Sequence, residues 1–228
     1  MFLKGVKAEL CDRCPSCSAP DSLCIAHSRD FEWMCRLGRA NIPVRYWNLE
    51  IEETLIPGGT ALNFVKSACE NVQQVVGRGL GFSVFGNRGR GKTTLTIYFL
   101  KEALRHGISG YFSLMESLMN IIRESFENPE QKEKFNRVKN MRVLVLDDLG
   151  KEYMTNSGFV VARVDELFRW RDSMGLSTLF SSNLTGSEFK ARYGDGIISL
   201  LKNTNQTLGL KGDELRPALN EWGDLCQK

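Results

Sequence analysis

The sequence predicts an α/β fold: a five-stranded parallel sheet covered by helices on both faces. Three observations carry this. From residue 81 onward short apolar runs alternate with amphipathic stretches, the pattern of a parallel sheet. The run "RVLVLDDLG" is continuously apolar before its two acids, as suits a strand buried on both faces. Between a strand-like "GFSVFG" and a helix-like "LTIYFLKEAL" lies the glycine-rich stretch "GNRGRGKTT".

Taken in order, residues 1–35 are cysteine-rich, with short polar spacers and no sustained periodicity, and form a small module that needs a staple. Residues 36–75 form a connector ending in a helix, "TALNFVKSACENVQQVV". Residues 76–228 form the core. Its strands are "GFSVFG", "ISGYFSLM", "RVLVLDDLG", "LSTLFSSN" and "QTLGLKG". Its helices are "GKTTLTIYFLKEALRHG", closed by Gly107, then "ESLMNIIRESF", "FVVARVDELFRWRDSMG" and a capped "TGSEFKARYG". The segment "ESFENPEQKEKFNRVKN" mixes both charge signs and reads as an exposed helix with a turn at Asn128-Pro129.

Composition restricts the classes of function. The chain has 228 residues, 42% hydrophobic and 25% charged, an ordinary globular balance that argues against long disorder. No apolar run approaches a membrane span, and "MFLKGVKAEL" lacks a signal-peptide core, so a cytoplasmic protein with no membrane partner is expected. A formal net charge of +3 is too small to announce nucleic-acid binding. Arg36, Arg39 and Arg45, with no acid among them, are either solvated surface residues or phosphate contacts.

The stretch Gly86, Asn87, Arg88, Gly89, Arg90, Gly91, Lys92, Thr93, Thr94 fits the phosphate-loop pattern G-x-x-x-x-G-K-[ST]. Glycines let successive backbone N–H groups turn toward an anion, and the following helix adds its positive end. Lys92 is expected to reach the β and γ phosphates of ATP, or the β phosphate of ADP, and the Thr93 hydroxyl to ligate Mg²⁺. Two carboxylates closing a buried strand are costly unless they meet a cation or water. Asp147 is therefore assigned to Mg²⁺ and Asp148 to orienting or deprotonating the attacking water. Asn183, after "LFSS", is placed beside the two acids to position that water; as a mere helix cap it competes with Thr185, the better capping residue.

With these motifs, the chain resembles the AAA+ ATPases of the DnaC/DnaI type, loaders of replicative helicases, and their relatives that assist transposition. The resemblance covers roughly residues 36–216. It rests on "RANIPVRYWNLEIE", "GNRGRGKTTL", "SGYFSLMESLMNIIRESF", "RVLVLDDLG", "LSTLFSSNLT", "FKARYGDGIISLL" and "LGLKGDELR". It implies nucleotide contacts over Gly86–Thr94, Mg²⁺ and water roles for Asp147 and Asp148, and a sensor role for Asn183. It also implies that Ile42–Trp47 flanks the nucleotide base. One departure stands out: where the family carries an arginine that senses a neighbouring subunit's nucleotide, this chain has Ser199 and Leu200. That arginine is absent or displaced to Arg192 or Arg216, and hydrolysis is expected to be slow. The lid domain is expected to be reduced or absent.

Cys11, Cys14, Cys17, Cys24 and Cys35, with His27, are spaced C-x2-C-x2-C-x6-C-x2-H-x7-C. Tetrahedral Zn²⁺ takes four such ligands, and a C-x2-C knuckle supplies two. Cys14, Cys17, Cys24 and Cys35 lead as zinc ligands, with Cys11 and His27 in reserve; an iron–sulfur cluster or free thiols are the alternatives. The resemblance implies an N-terminal zinc module that grips the helicase.

The function expected is an ATPase that loads a DnaB-type hexamer, binding single-stranded DNA and self-associating in its ATP state. The alternatives are a transposition-accessory ATPase on duplex DNA, or a nucleotide-stabilised adaptor with little turnover. A small-molecule kinase is disfavoured because no acceptor-binding lid is evident.

Overall fold

A computed structural model describes residues 25–50, 56, 59–153 and 158–210, with side chains from residue 31 onward. The chain divides into two compact units, 1–48 and 49–228.

In the first unit, helix α1 spans Ile25–Arg39, and a 3-10 turn follows at Val44–Tyr46. The helix runs straight through residue 35, in a stretch whose sequence shows no sustained periodicity. The physical reason is a thin apolar stripe: Leu37 is buried while Trp33, Met34 and Cys35 are only half-buried. The block Ile42–Trp47 closes on itself, because the Trp47 indole N–H donates to the Ile42 carbonyl at 2.8 Å.

The second unit runs α2 (Thr60–Glu70), α3 (Val72–Gly77), β1 (Gly81–Gly86), α4 (Lys92–Arg105), β2 (Gly110–Leu114), α5 (Met115–Glu124) and α6 (Pro129–Lys139). It continues through β3 (Val143–Asp147), α7 (Phe159–Ser173), β4 (Ser177–Ser182), α8 (Gly186–Thr204) and β5 (Asn205–Leu210). The five strands form one parallel sheet in the order β2-β3-β4-β1-β5. Strands β3 and β4 are buried along their whole length, as the unbroken apolar run in β3 requires.

Alternate side chains of β1 serve the two faces. Phe82 packs edge-on against Phe64 of α2 and Phe99 of α4, at ring separations of 6.0 and 5.5 Å. Phe85 faces the other way, toward Phe180 and Phe189. Around that second pair lies the larger core, which draws Leu118, Ile122, Val164, Phe168, Tyr193 and Ile197 from α5, α7 and α8. Each such aromatic or aliphatic side chain contributes about 1.5–3 kcal/mol on burial.

Two helix boundaries differ from the sequence-based expectation. The helix expected over 60–76 breaks at Asn71, whose side-chain amide bonds back to the Ser67 carbonyl at 2.9 Å and caps α2; asparagine competes well for such local bonds. The helix expected to end at Gly194 kinks there (φ 81°, ψ 169°) and resumes to Thr204. It resumes because Tyr193, Ile197 and Leu201 recur every four residues and are all buried. At its start, Thr185 and Glu188 form the reciprocal capping box, which leaves Asn183 free of a capping duty.

Parallel strands put all their carboxyl ends along one edge. The loop after β1, the acids closing β3 and the residue after β4 therefore converge there, where α/β sheets of this kind bind ligands.

Candidate functional site

The loop Gly86–Thr93 joins β1 to α4, and its glycines are needed where they stand. Gly89 and Gly91 have left-handed backbones (φ 74° and 81°), and a side-chain carbon on Gly86 would meet the Leu210 carbonyl oxygen at 2.5 Å. The loop ends on the amino terminus of a fourteen-residue helix, whose first N–H groups have no acceptor within the helix and whose dipole puts its positive end there.

Two connected groups of side chains meet at that spot. In the first, the Thr93 hydroxyl donates to both oxygens of Asp147, at 2.9 and 3.0 Å, and the Ser181 hydroxyl donates to Asp147 Oδ1 at 2.5 Å. Asp147 is 4% exposed. Burial raises its carboxyl pKa above the usual range, and the hydrogen bonds from Ser181 and Thr93 oppose that rise. In the second, Lys92 Nζ donates to the Asn87 carbonyl and to Asn183 Oδ1, each at 2.7 Å. Asn183 Nδ2 then donates to Asp148 Oδ1 at 2.9 Å, and Lys151 Nζ pairs with the other Asp148 oxygen. Asp148 itself has φ 58°, an uncommon backbone for a non-glycine and one that clusters at functional sites. Its amide N–H is held by Ser181 Oγ at 2.9 Å.

The residues singled out in the sequence thus come together: Lys92, Thr93, Asp147, Asp148 and Asn183 form one contiguous hydrogen-bonded cluster. The donor set suits Mg²⁺, a hard cation that takes carboxylate and hydroxyl oxygens together with substrate phosphates. Thr93 and Asp147, already in contact, are the pair that would hold it.

Three participants escape the motifs. Ser181 braces both acids, and its signal was present as serines in an otherwise buried strand. Lys151 sits on Asp148. Glu152, buried, accepts from Arg192 Nε at 3.2 Å and from the Tyr193 hydroxyl, while its carbonyl accepts from Arg192 Nη2 at 2.5 Å. Arg192 is therefore committed within its own chain. Of the two arginines offered for the displaced trans-acting role, Arg192 is thus paired within this chain and Arg216 lies outside the described residues. Ser199 stands exposed on α8.

Of the cysteine cluster, Cys11, Cys14, Cys17 and Cys24 lie outside the described residues, as does the side chain of His27; Cys35 is half-buried on α1. Among the described residues no group of three or more His, Cys, Asp or Glu gathers to hold a metal, and no helix is long and apolar enough to cross a membrane.

Residues 69–201 match the family described as IstB-like ATP binding protein. The chain belongs to this IstB-like ATP-binding family. It is 30% identical over 131 residues to the replicative helicase loader DnaI of Bacillus subtilis (strain 168), a match covering 58% of this chain. The chain spans only 40% of the length of that relative. The IstB-like core also resembles the crystal structure of the DnaC helicase loader, with a TM-score of 0.65 at 25% identity over 74% of this chain and all of that one. A DnaI crystal structure (TM-score 0.59, 18% identity, 77% of this chain and 94% of that one) shares the fold. So does the replication initiator DnaA bound to AMPPCP and single-stranded DNA (TM-score 0.61, 18% identity, 77% and 53%). The five-stranded parallel sheet is that of an AAA+ P-loop core.

Proposed function

We propose that this chain is an ATP-dependent loader of a replicative DNA helicase, working in the cytoplasm. The observation that carries this reading is the convergence of Lys92, Thr93, Asp147, Asp148 and Asn183 at one sheet edge, in a chain akin to a helicase loader. The backbone N–H groups of the loop and Lys92 hold the triphosphate. Thr93 and Asp147 hold the magnesium that accompanies it and supplies charge neutralisation. Asn183 orients the attacking water, and Asp148 accepts its proton. ATP favours the gripping arrangement and ADP releases it, because a ligand shifts a population only through differential affinity.

Single-stranded DNA is the second proposed partner. Phe126 is 65% exposed and Trp170 39% exposed along a groove of about 340 Å³ on α5, α6 and α7 that also carries Lys132, Lys139 and an Arg163–Glu166 ion pair. Lys139 Nζ lies 4.5 Å over the Trp170 ring. Exposed rings among cations suit stacked bases and a phosphate chain.

The cysteine cluster is proposed to take zinc and to contact the helicase. Cys14, Cys17, Cys24 and Cys35 are the proposed ligands, with Cys11 and His27 in reserve.

A second reading, a nucleotide-stabilised adaptor with little turnover, is favoured by Ser199 and Leu200 in the arginine position and by the capture of Arg192. One co-purification separates the cases. With a non-hydrolysable ATP analogue, the tagged chain retains a DnaB-type hexamer, Lys92→Ala does not, and elemental analysis finds about one zinc per chain. Coating of duplex DNA with no helicase retained would instead favour the transposition-accessory role, and iron in place of zinc would overturn the metal assignment.

A further inference from the structure

Hydrolysis at this site needs positive charge beside the γ-phosphoryl group as it is displaced. Lys92 approaches from the loop. Among the described residues the usual second cation is not found where it is expected, because α8 carries Ser199 and Leu200 and Arg192 is tied to buried Glu152. One cation nevertheless stands at the hydrolytic end of the cluster. The Lys151 ammonium rests on Asp148, the far end of the chain Lys92–Asn183–Asp148.

The mounting of Lys151 differs from that of its neighbours. Its backbone is fixed: the Lys151 N–H bonds to the Asp148 carbonyl at 3.1 Å, and the Gly150 N–H donates to Glu152 Oε2 at 2.8 Å. Glu152 in turn is gripped by Arg192 and Tyr193. The Lys151 side chain is 42% exposed, and a four-carbon stem with a compact ammonium can exchange one anion for another without moving its backbone.

Resting on the nucleotide reading above, we propose that Lys151 is a catalytic cation supplied in cis, standing in for the arginine that a neighbouring subunit would otherwise provide. Without nucleotide it neutralises Asp148. As the γ-phosphoryl group of a bound triphosphate is displaced, Lys151 transfers to its oxygens, and this frees Asp148. The water oxygen then bonds to the γ phosphorus while the bond to the β–γ bridging oxygen breaks. The bonding pair leaves with ADP, and the water proton passes by way of Asp148 to solvent. Turnover per chain then requires no second chain.

The test compares wild type, Lys151→Ala and Lys151→Arg by calorimetry and phosphate release. Lys151→Ala is expected to bind Mg·ATP within about threefold of wild type. Its affinity for Mg·ADP with aluminium fluoride, a mimic of the displaced phosphoryl group, falls at least about tenfold together with kcat, because only interactions stronger in the transition state raise the rate. Lys151→Arg recovers most of both, and wild-type turnover per chain is constant as protein concentration rises. Three results overturn the proposal while leaving the nucleotide site standing. These are unchanged or faster turnover in Lys151→Ala, unaltered binding of the fluoride complex, and wild-type turnover per chain that climbs with concentration. A wild-type chain that takes up no Mg·ATP would remove the nucleotide reading itself and this inference with it.

Discussion

Replacing Arg171 by methionine is expected to cost about 2–4 kcal/mol of stability, roughly a 10 °C fall in Tm for a unit of this size. Arg171 is fully buried on α7. It donates Nη1 to the carbonyls of Lys139 and Met141 at 2.8 and 2.9 Å, Nη2 to the Ser177 carbonyl at 2.5 Å and Nε to Thr178 Oγ1 at 2.8 Å. One side chain thus ties the end of α6 and the approaches to β3 and β4. Two effects oppose each other on substitution. Burial disfavours the guanidinium charge, pushing its pKa down to about 9 with help from Arg142, so removing the charge is a relief. Against that, four acceptors lose their donor, two of them in fully buried hydrogen bonds, at about 1–3 kcal/mol each when left unpaired and dry. Methionine matches the volume without donating, so the loss wins. Differential scanning calorimetry checks it; an unchanged Tm would show that the four acceptors find other donors.

Asp147→Asn is expected to separate folding from function. Without nucleotide the variant should melt no lower than wild type, because Asn removes a buried charge while its carbonyl can still accept from Thr93 and Ser181. Mg²⁺-dependent ATP binding should fall by at least about 100-fold, since a hard cation loses its carboxylate. The pH dependence has a definite sign. A raised folded-state carboxyl pKa means the folded chain holds the proton more tightly than the unfolded one. Its stabilising contribution is complete below the ordinary carboxylate range and is lost as pH rises through the raised value. Wild type without nucleotide should therefore lose stability over that interval relative to Asp147→Asn, whose side chain does not titrate. A lower Tm for the variant at neutral pH would contradict the account.

Much of the site was legible because its parts are local patterns with one physical use. Four aliphatics ending in two acids mark a buried strand whose carboxylates come out at one edge of the sheet, and Gly89 and Gly91 mark left-handed positions that other residues rarely take. Asn183 followed from sheet topology, since a strand between β1 and β3 must end between their loops. What was not legible depends on contacts between distant, individually ordinary residues. Nothing near Glu152 announces that Arg192 and Tyr193, forty residues on, will close over it. Arg171 reads as one more charge on an amphipathic helix until α6, β3 and β4 surround it. Helix α1 was hidden by its thin apolar stripe, and the continuation of α8 past Gly194 by a glycine that kinks rather than ends it.

The central claim is that Lys92 and Asp147, distant in sequence, converge on one magnesium-bound triphosphate. Isothermal titration of the intact chain with Mg·ATP tests it most directly. The account predicts saturable binding near one nucleotide per chain, abolished in Lys92→Ala while that variant keeps its wild-type melting temperature. No uptake by the wild-type chain, or equal uptake by Lys92→Ala, would contradict it.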